Sequence, residues 1–264
     1  QQINQLGSQD SEGELAGYDW SSHGFLIGVE NLINQRLLVG ASAGGVWTSL
    51  DGDMDAKGGS SELVVGTLYG NWRADVWYAD VGLLCGSADN EAERTDSAGD
   101  SYNGEFSSML FGGWLEGGYM FPKDTYQIEP YGRSVYIAAS NDEYTDSGGA
   151  APMTVEDTDA DSWIMELGIR GKKGWELDSG GKIQVSLKGA WRTELLDNEV
   201  SAQGTILGVS QTFESVEAGK NALVLGLKTD WLINDKFALG LNYEPVISGN
   251  WVYHNLNGEL SYRF

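Results

Sequence analysis

The chain has 264 residues and a formal charge of −23, with 37 Gly, 10 Trp, 12 Tyr, only 4 Pro and a single Cys. Acidity on this scale argues against a nucleic-acid partner, because a phosphate backbone demands clustered Lys and Arg. The lone Cys85 leaves no disulfide framework or Cys-based metal site. No run reaches the roughly 18 apolar residues of a membrane-spanning helix, so a chain that spans a bilayer here does so as strands.

Period-two alternation, the mark of a strand with two unlike faces, runs the whole length. Gln1 to Ser8 is the weakest case, carrying only Ile3 and Leu6 as apolar residues. It counts as a strand because an antiparallel barrel closes with an even number. Clearer segments follow in order: Phe25/Ile27/Val29, Leu37/Val39/Ala41/Ala43, Trp77/Ala79/Val81/Leu83 and Met109/Phe111/Leu115/Tyr119. Then come Trp163/Met165/Leu167/Ile169, Ile183/Val185/Leu187/Trp191, Leu223/Leu225/Leu227 and Phe237/Leu239/Leu241/Tyr243. The last strand places Leu256, Gly258, Leu260 and Tyr262 on one face and Asn255, Asn257, Glu259, Ser261 and Arg263 on the other. The opposing parity elsewhere holds Asp80, Glu116, Glu166, Arg170, Lys188, Arg192 and Lys228. Charges of both signs on facing strands are costly in a dry core, so a wet lumen suits them. The pattern predicts an all-β fold, a 12-stranded antiparallel transmembrane β-barrel formed as one domain over residues 1–264.

Connector length supplies a second regularity. Tight connectors fall at Asn31 to Gln35, Arg73 to Asp75, Pro122 to Thr125 and Ile233 to Asp235, with a somewhat longer Gly-rich one near Lys173 to Gly181. Long acidic ones alternate with them: Gln9 to Tyr18, Ser49 to Ser61, Asp89 to Gly104, Asn141 to Asp161 and Leu196 to Gly219. The last connector, near Ser248 to Asn250, is brief although it falls on the long side. Outer-membrane barrels have short periplasmic turns and longer external loops, so the acidic loops are expected outside the cell and the C-terminus in the periplasm. Within the Leu196 to Gly219 connector, Val200 to Val216 has β-propensity without lipid-facing alternation. It reads as an external loop with a small hairpin above the rim. No basic n-region and no apolar h-region stands at Gln1, as expected of a chain whose signal peptide has been removed or, the preferred reading, of one that begins inside a longer precursor.

Several segments together resemble the autotransporter β-domain, the translocator domain of Gram-negative outer membranes. They are Gly24 to Glu30, Leu38 to Ala43, Val65 to Gly70, Trp77 to Val81, Leu115 to Tyr119, Ile128 to Pro130, Glu166 to Arg170 and the terminal Tyr262-Arg263-Phe264. Each motif is weak alone; their joint order and spacing carry the resemblance over nearly all of the chain. It implies a translocator that anchors an N-terminal passenger and mediates its surface export by type V secretion. It further implies a linker helix threaded through the lumen before the first strand; passenger and linker are expected to lie outside this chain. Expected partners are outer-membrane lipid, the chain's own passenger and linker, and the barrel-assembly machinery, with the barrel a monomer. The terminal alternation of Leu260, Tyr262 and Phe264 resembles the signal that the machinery reads. A free-standing outer-membrane porin, adhesin or enzyme acting through its loops is the alternative. A soluble acidic β-protein is a third reading and requires another sheet over the apolar parity.

Asp80, Glu116 and Glu129 match positions that, in a self-cleaving subclass of the resembling family, assist cyclisation of an Asn in the linker. That Asn would lie upstream of Gln1. The preferred reading is a network of hydrogen bonds and ion pairs with Arg133, Arg170, Lys188 and Arg192. The expected linker contacts are Asp80, Glu116, Glu129, Arg133, Glu166, Arg170, Lys188 and Arg192. Asp51 to Glu62 carries oxygens at the first, third, fifth and twelfth places of a calcium loop, but Ala56 stands where that loop needs Gly. Asp157, Asp159 and Asp161 repeat the spacing without the closing Glu. Both read as solvated acidic loops. His23 and His254 are the only histidines and nothing places a nucleophile beside either. No catalytic residue, metal or cofactor is therefore expected.

Overall fold

The computed structural model describes residues 1–11, 17–52, 58–96, 98–178, 180–196, 201–215 and 218–264. Twelve long strands form the wall: β1 (Gln2–Gln9), β2 (Tyr18–Asn34), β3 (Leu37–Gly52), β4 (Gly59–Arg73), β5 (Trp77–Thr95) and β6 (Ser101–Tyr119). The rest are β7 (Gln127–Asn141), β8 (Thr158–Glu176), β9 (Lys182–Glu194), β10 (Asn221–Leu232), β11 (Phe237–Ser248) and β12 (Trp251–Tyr262). Each pairs antiparallel with the next, and β12 pairs with β1, so the sheet closes; the β1 ladder stops at Phe25 of β2 and Gly258 of β12, and beyond it Ile27 to Asn34 pair only with β3.

The weakest predicted strand is the one that closes the barrel. β1 has little apolar alternation, yet Gln2 to Gln9 are laddered on both sides, to β12 from Gly258 to Trp251 and to β2 from Phe25 to Tyr18. The Gln1 nitrogen adds a hydrogen bond to the Leu26 carbonyl at 2.7 Å. Backbone pairing on two sides, rather than side-chain pattern, holds this segment.

The apolar parity faces outward and nothing covers it: Ile27 is 72% exposed, Val64 69% and Leu260 66%. A sheet packed outside would bury them, so the soluble reading fails and the band is a lipid surface. Trp72, Trp77, Phe121, Trp175, Trp231, Phe237 and Tyr262 lie outward near the short-turn end, and Trp47, Tyr136, Trp163 and Trp191 form the opposing belt. Along β8 the interval from Trp163 to Trp175, at about 3.4 Å per residue and a tilt of about 40°, spans roughly 30 Å of bilayer.

Several long connectors are shorter than their sequence suggests. β5 and β6 remain paired out to Thr95 and Ser101, so most of Asp89 to Gly104 is ladder, not loop. Beyond the lipid both faces are wet, and a strand there has no reason to alternate. The tight turns are likewise trimmed: β2 runs through Asn34 with an irregularity between Leu32 and Asn34, and β8 continues to Glu176. The expected hairpin is Ser201–Ile206 paired with Val209–Glu214, turning at Leu207 (φ 51°) and Gly208 (φ 79°). Two successive positive φ values are the signature of a type I′ turn. Tyr144–Thr145 and Met153–Val155 join this hairpin in a four-stranded sheet. Buried Asp146 ties it to the β5–β6 extension, accepting from Arg94 Nε at 2.5 Å and from the Met153 N–H at 2.6 Å. Of the calcium-like stretch, residues 53–57 lie outside the described residues. Asp159 and Asp161 sit exposed on β8 opposite Ser140 and Ala138.

Candidate lumen site

The inward parity builds the interior. At the long-loop end, fully buried Val224 and Val246 cluster with Ala190 and Ala222 against Trp251 and Tyr253. Large rings fit the lumen by lying across glycines. Trp114 covers Gly82, where an added Cβ would meet the ring at 2.2 Å, and Tyr69 covers Gly40 in the same way.

Strand register brings the charges into rows. Asp80 pairs with Glu116, Glu116 with Arg133, Arg133 with Glu166 and Glu166 with Arg192, one from each of β5 to β9. The neighbouring row runs from Glu129 through Arg170 to Lys188. Side chains on adjacent strands at matched register lie about 5 Å apart, so two rows suffice to knit one wall.

Glu116, only 7% exposed, accepts from both Arg170 Nη atoms at 2.7 and 2.9 Å and from the Tyr78 hydroxyl at 3.1 Å. The Arg170 guanidinium also rests 3.9 Å from the centre of the Tyr131 ring, a cation–π contact. Tyr131 passes the network on by donating to Glu166 at 2.6 Å. Glu166 further receives Lys188 Nζ at 2.8 Å and Arg192 Nη2 at 2.8 Å. Lys188 reaches across to Glu244 at 2.9 Å, and Arg192 donates to the Tyr253 hydroxyl. Each of these buried carboxylates is met by several donors, which is the condition for burying charge without large loss.

The predicted residues therefore line the lumen, but their partners differ from the expectation. Glu116, Glu166, Arg170, Lys188 and Arg192 form one network. Asp80 instead pairs with Arg73 at 2.5 Å and accepts from Asn71 at 3.1 Å. Glu129 takes Lys172 at 2.7 Å and the Gln127 amide. Arg133 makes no ion pair and no hydrogen bond among the described residues, and its buried Nε lacks a partner. Sequence reasoning missed Arg73, Lys172, Tyr78, Tyr131, Glu244 and Tyr253. Lys172 was findable as the second residue after Arg170 on the same face, whereas Arg73 read as turn and the tyrosines carry no charge to mark them.

Beside the network the lumen is hollow. A cavity of about 380 Å³ borders Arg133, Lys188, Glu244 and Asn257, and another of about 470 Å³ borders Arg133, Glu166, Asn255 and Asn257. Gln1 touches both. Away from the lumen, Leu260 and Tyr262 face outward, and Tyr262 packs between Phe237 at 4.8 Å and Phe264 at 5.2 Å. Both histidines join the outer aromatics: His23 stacks on Trp47 and His254 on Tyr243.

Comparison with known proteins agrees with this architecture. Two extracellular serine proteases of Serratia marcescens are 25% and 23% identical over 99% of this chain, which spans about a quarter of the length of those relatives. Among solved structures, the translocator domain of the autotransporter NalP from Neisseria meningitidis superposes with a TM-score of 0.81 at 16% identity, covering 100% of this chain and 86% of that one. The beta domain of the Bordetella autotransporter Brka gives 0.70 at 16% identity, covering 100% and 98%. The family profile of the autotransporter beta-domain matches residues 1–244; beyond it lies β12, whose pairing with β1 closes the wall. The chain thus belongs to the autotransporter beta-domain family, and it is an integral outer-membrane translocator barrel.

Proposed function

We propose that this barrel anchors a passenger joined ahead of Gln1 and carries that passenger to the cell surface, with residues 1–264 acting as a single translocator domain. The observation that carries the reading is a closed strand wall around a polar, partly hollow lumen that Gln1 borders. The closed wall pairs its strands within one sheet, the arrangement a bilayer demands, while the lumen offers hydrogen-bonding groups to a polypeptide. The linker lies against the charged wall formed by Asp80, Glu116, Glu129, Arg170 and their partners.

The long acidic connectors face outward and the C-terminus faces the periplasm. Of 16 Lys and Arg, only Lys57, Arg94 and Lys220 lie on the long-connector side, so that side carries essentially the whole formal charge of −23. The outward Leu260, Tyr262 and Phe264 present the segment read by the barrel-assembly machinery, and the barrel works as a monomer.

The test is an epitope tag placed ahead of Gln1 behind a secretory signal, expressed in Gram-negative cells. Antibody should label intact cells at the tag, and a membrane-impermeant thiol reagent should label a cysteine placed at Leu207 but not one placed at Asp235. A tag confined to the periplasm with a correctly folded barrel would reject export.

A further inference from the structure

Among the described residues, Arg133 is the exception in a lumen where positive charge is otherwise spent. Arg73, Arg170, Lys172, Lys182, Lys188, Arg192 and Lys228 each have a carboxylate oxygen within 4 Å. The cross-strand neighbours of Arg133 are both acidic, Glu116 and Glu166. Both are engaged by other donors: Glu116 holds Arg170 in a two-pronged pair, and Glu166 is shared by Tyr131, Lys188 and Arg192. Arg133 borders both lumen cavities, and its Nε is buried without an acceptor. Asn257 borders the same two cavities, and its Oδ1 is buried without a donor. An orphan donor and an orphan acceptor beside the same hollow space specify a complementary guest.

We propose that Arg133 is the docking point for a single carboxylate carried by the polypeptide segment that occupies the lumen, with Asn257 accepting an N–H from that segment. The inference rests on the translocator reading and names the side-chain chemistry that reading leaves open. A guanidinium fork matches a carboxylate bidentately. A carboxylate entering this lumen without such a partner would lose much of its hydration uncompensated. Glu244 borders both cavities and Glu259 one of them, so a multiply charged anion meets repulsion that one carboxylate offset by Arg133 does not. The carboxamides of Asn242 and Asn257 offer neutral contacts to peptide backbone. Glu116, Glu166, Arg170 and Lys188 then serve as the wall that aims Arg133 rather than as charges reading the guest.

The experiment uses the reconstituted barrel in a planar bilayer and two synthetic helical Ala/Gln peptides that differ only in one central Glu or Gln. The Glu peptide should dwell in the pore about tenfold longer than the Gln peptide. Arg133→Gln should abolish that difference, and Arg133→Glu should transfer the preference to a peptide with a central Lys. Lys228→Gln, which removes a cation already paired with Asp230, should leave discrimination intact. Equal dwell times for Glu and Gln peptides on the unmodified barrel would overturn the role of Arg133 while leaving lumen occupancy standing. Block reproduced by free acetate would reassign the site to small anions and overturn the peptide. Exclusion of both peptides from a conducting pore would overturn the docking and the occupied lumen together.

Discussion

The two halves of the lumen wall are built from different chemistry. On β5 to β9, carboxylates, guanidiniums and tyrosine hydroxyls are tied into a continuous network through Glu116, Arg170, Tyr131 and Glu166. On β1 to β4 the pairs are mostly neutral: Ser22 with Thr48 at 2.9 Å and Ser42 with Thr67 at 2.7 Å, the exceptions being Tyr69 donating to Glu30 at 2.8 Å and, at the end of β4, Asn71 and Arg73 held to Asp80. Charge-assisted bonds are roughly twice as strong as neutral ones and leave a costly orphan when one partner goes. Neutral hydroxyl pairs exchange readily with water. The difference points to a division of labour in which the charged wall holds the barrel's shape and the neutral pairs of β1 to β4 contribute little to it.

The sharpest way to break that comparison is Glu166→Ala. It removes a 2% exposed carboxylate and strands Lys188, Arg192 and the Tyr131 hydroxyl around an empty site. Breaking a buried pair from one side costs about 3–5 kcal/mol. Urea unfolding in lipid vesicles followed by Trp fluorescence should show a loss near the lower end, because Glu244 still receives Lys188. A loss below about 1 kcal/mol would mean the charged wall is not what holds the shape.

Tyr131→Phe is the next step down. The ring that supports Arg170 stays, and only the 2.6 Å bond to Glu166 is lost. A hydrogen bond to a charged group contributes about 1.5–3 kcal/mol, so the same unfolding assay should register about 2 kcal/mol. An unchanged midpoint would show that Glu166 is satisfied by its cations alone and that the two rows act independently.

How much of this was legible in the sequence depends on what constrains each part. Lipid imposes strict alternation, so Trp163 to Ile169 and Leu223 to Leu227 announce both strand and outward face. Above the lipid the constraint vanishes, and Asp89 to Thr95 looks like an acidic loop although it is paired to β6 as far as Ser101. β1 was legible only through the parity of the strand count, since its identity rests on backbone ladders that any residue can make. For the lumen, parity located the charges but not their partners. Register set Asp80 beside Glu116, yet Arg73 from the end of β4 took Asp80 and left Arg170 to Glu116. Long side chains reach past their nearest neighbour, and that reach is what left Arg133 unpaired.

The smallest expected effect tests the neutral half. Ser42 and Thr67 are cross-strand partners whose hydroxyls lie 2.7 Å apart in a half-buried position facing the lumen. Removing either hydroxyl exposes the other to lumen water, which replaces most of the lost bond, so Ser42→Ala and Thr67→Val should each cost about 0.5–1 kcal/mol. The informative quantity is their coupling in a double-mutant cycle, which isolates the pair from the loss of packing that each substitution also brings. A coupling below about 1 kcal/mol is expected of a wet hydroxyl pair. A coupling above about 2 kcal/mol would show that water does not compete at this wall; the neutral half would then be bonded as tightly as the charged one, and the asymmetry between the two walls would lie in charge alone rather than in how firmly each is held.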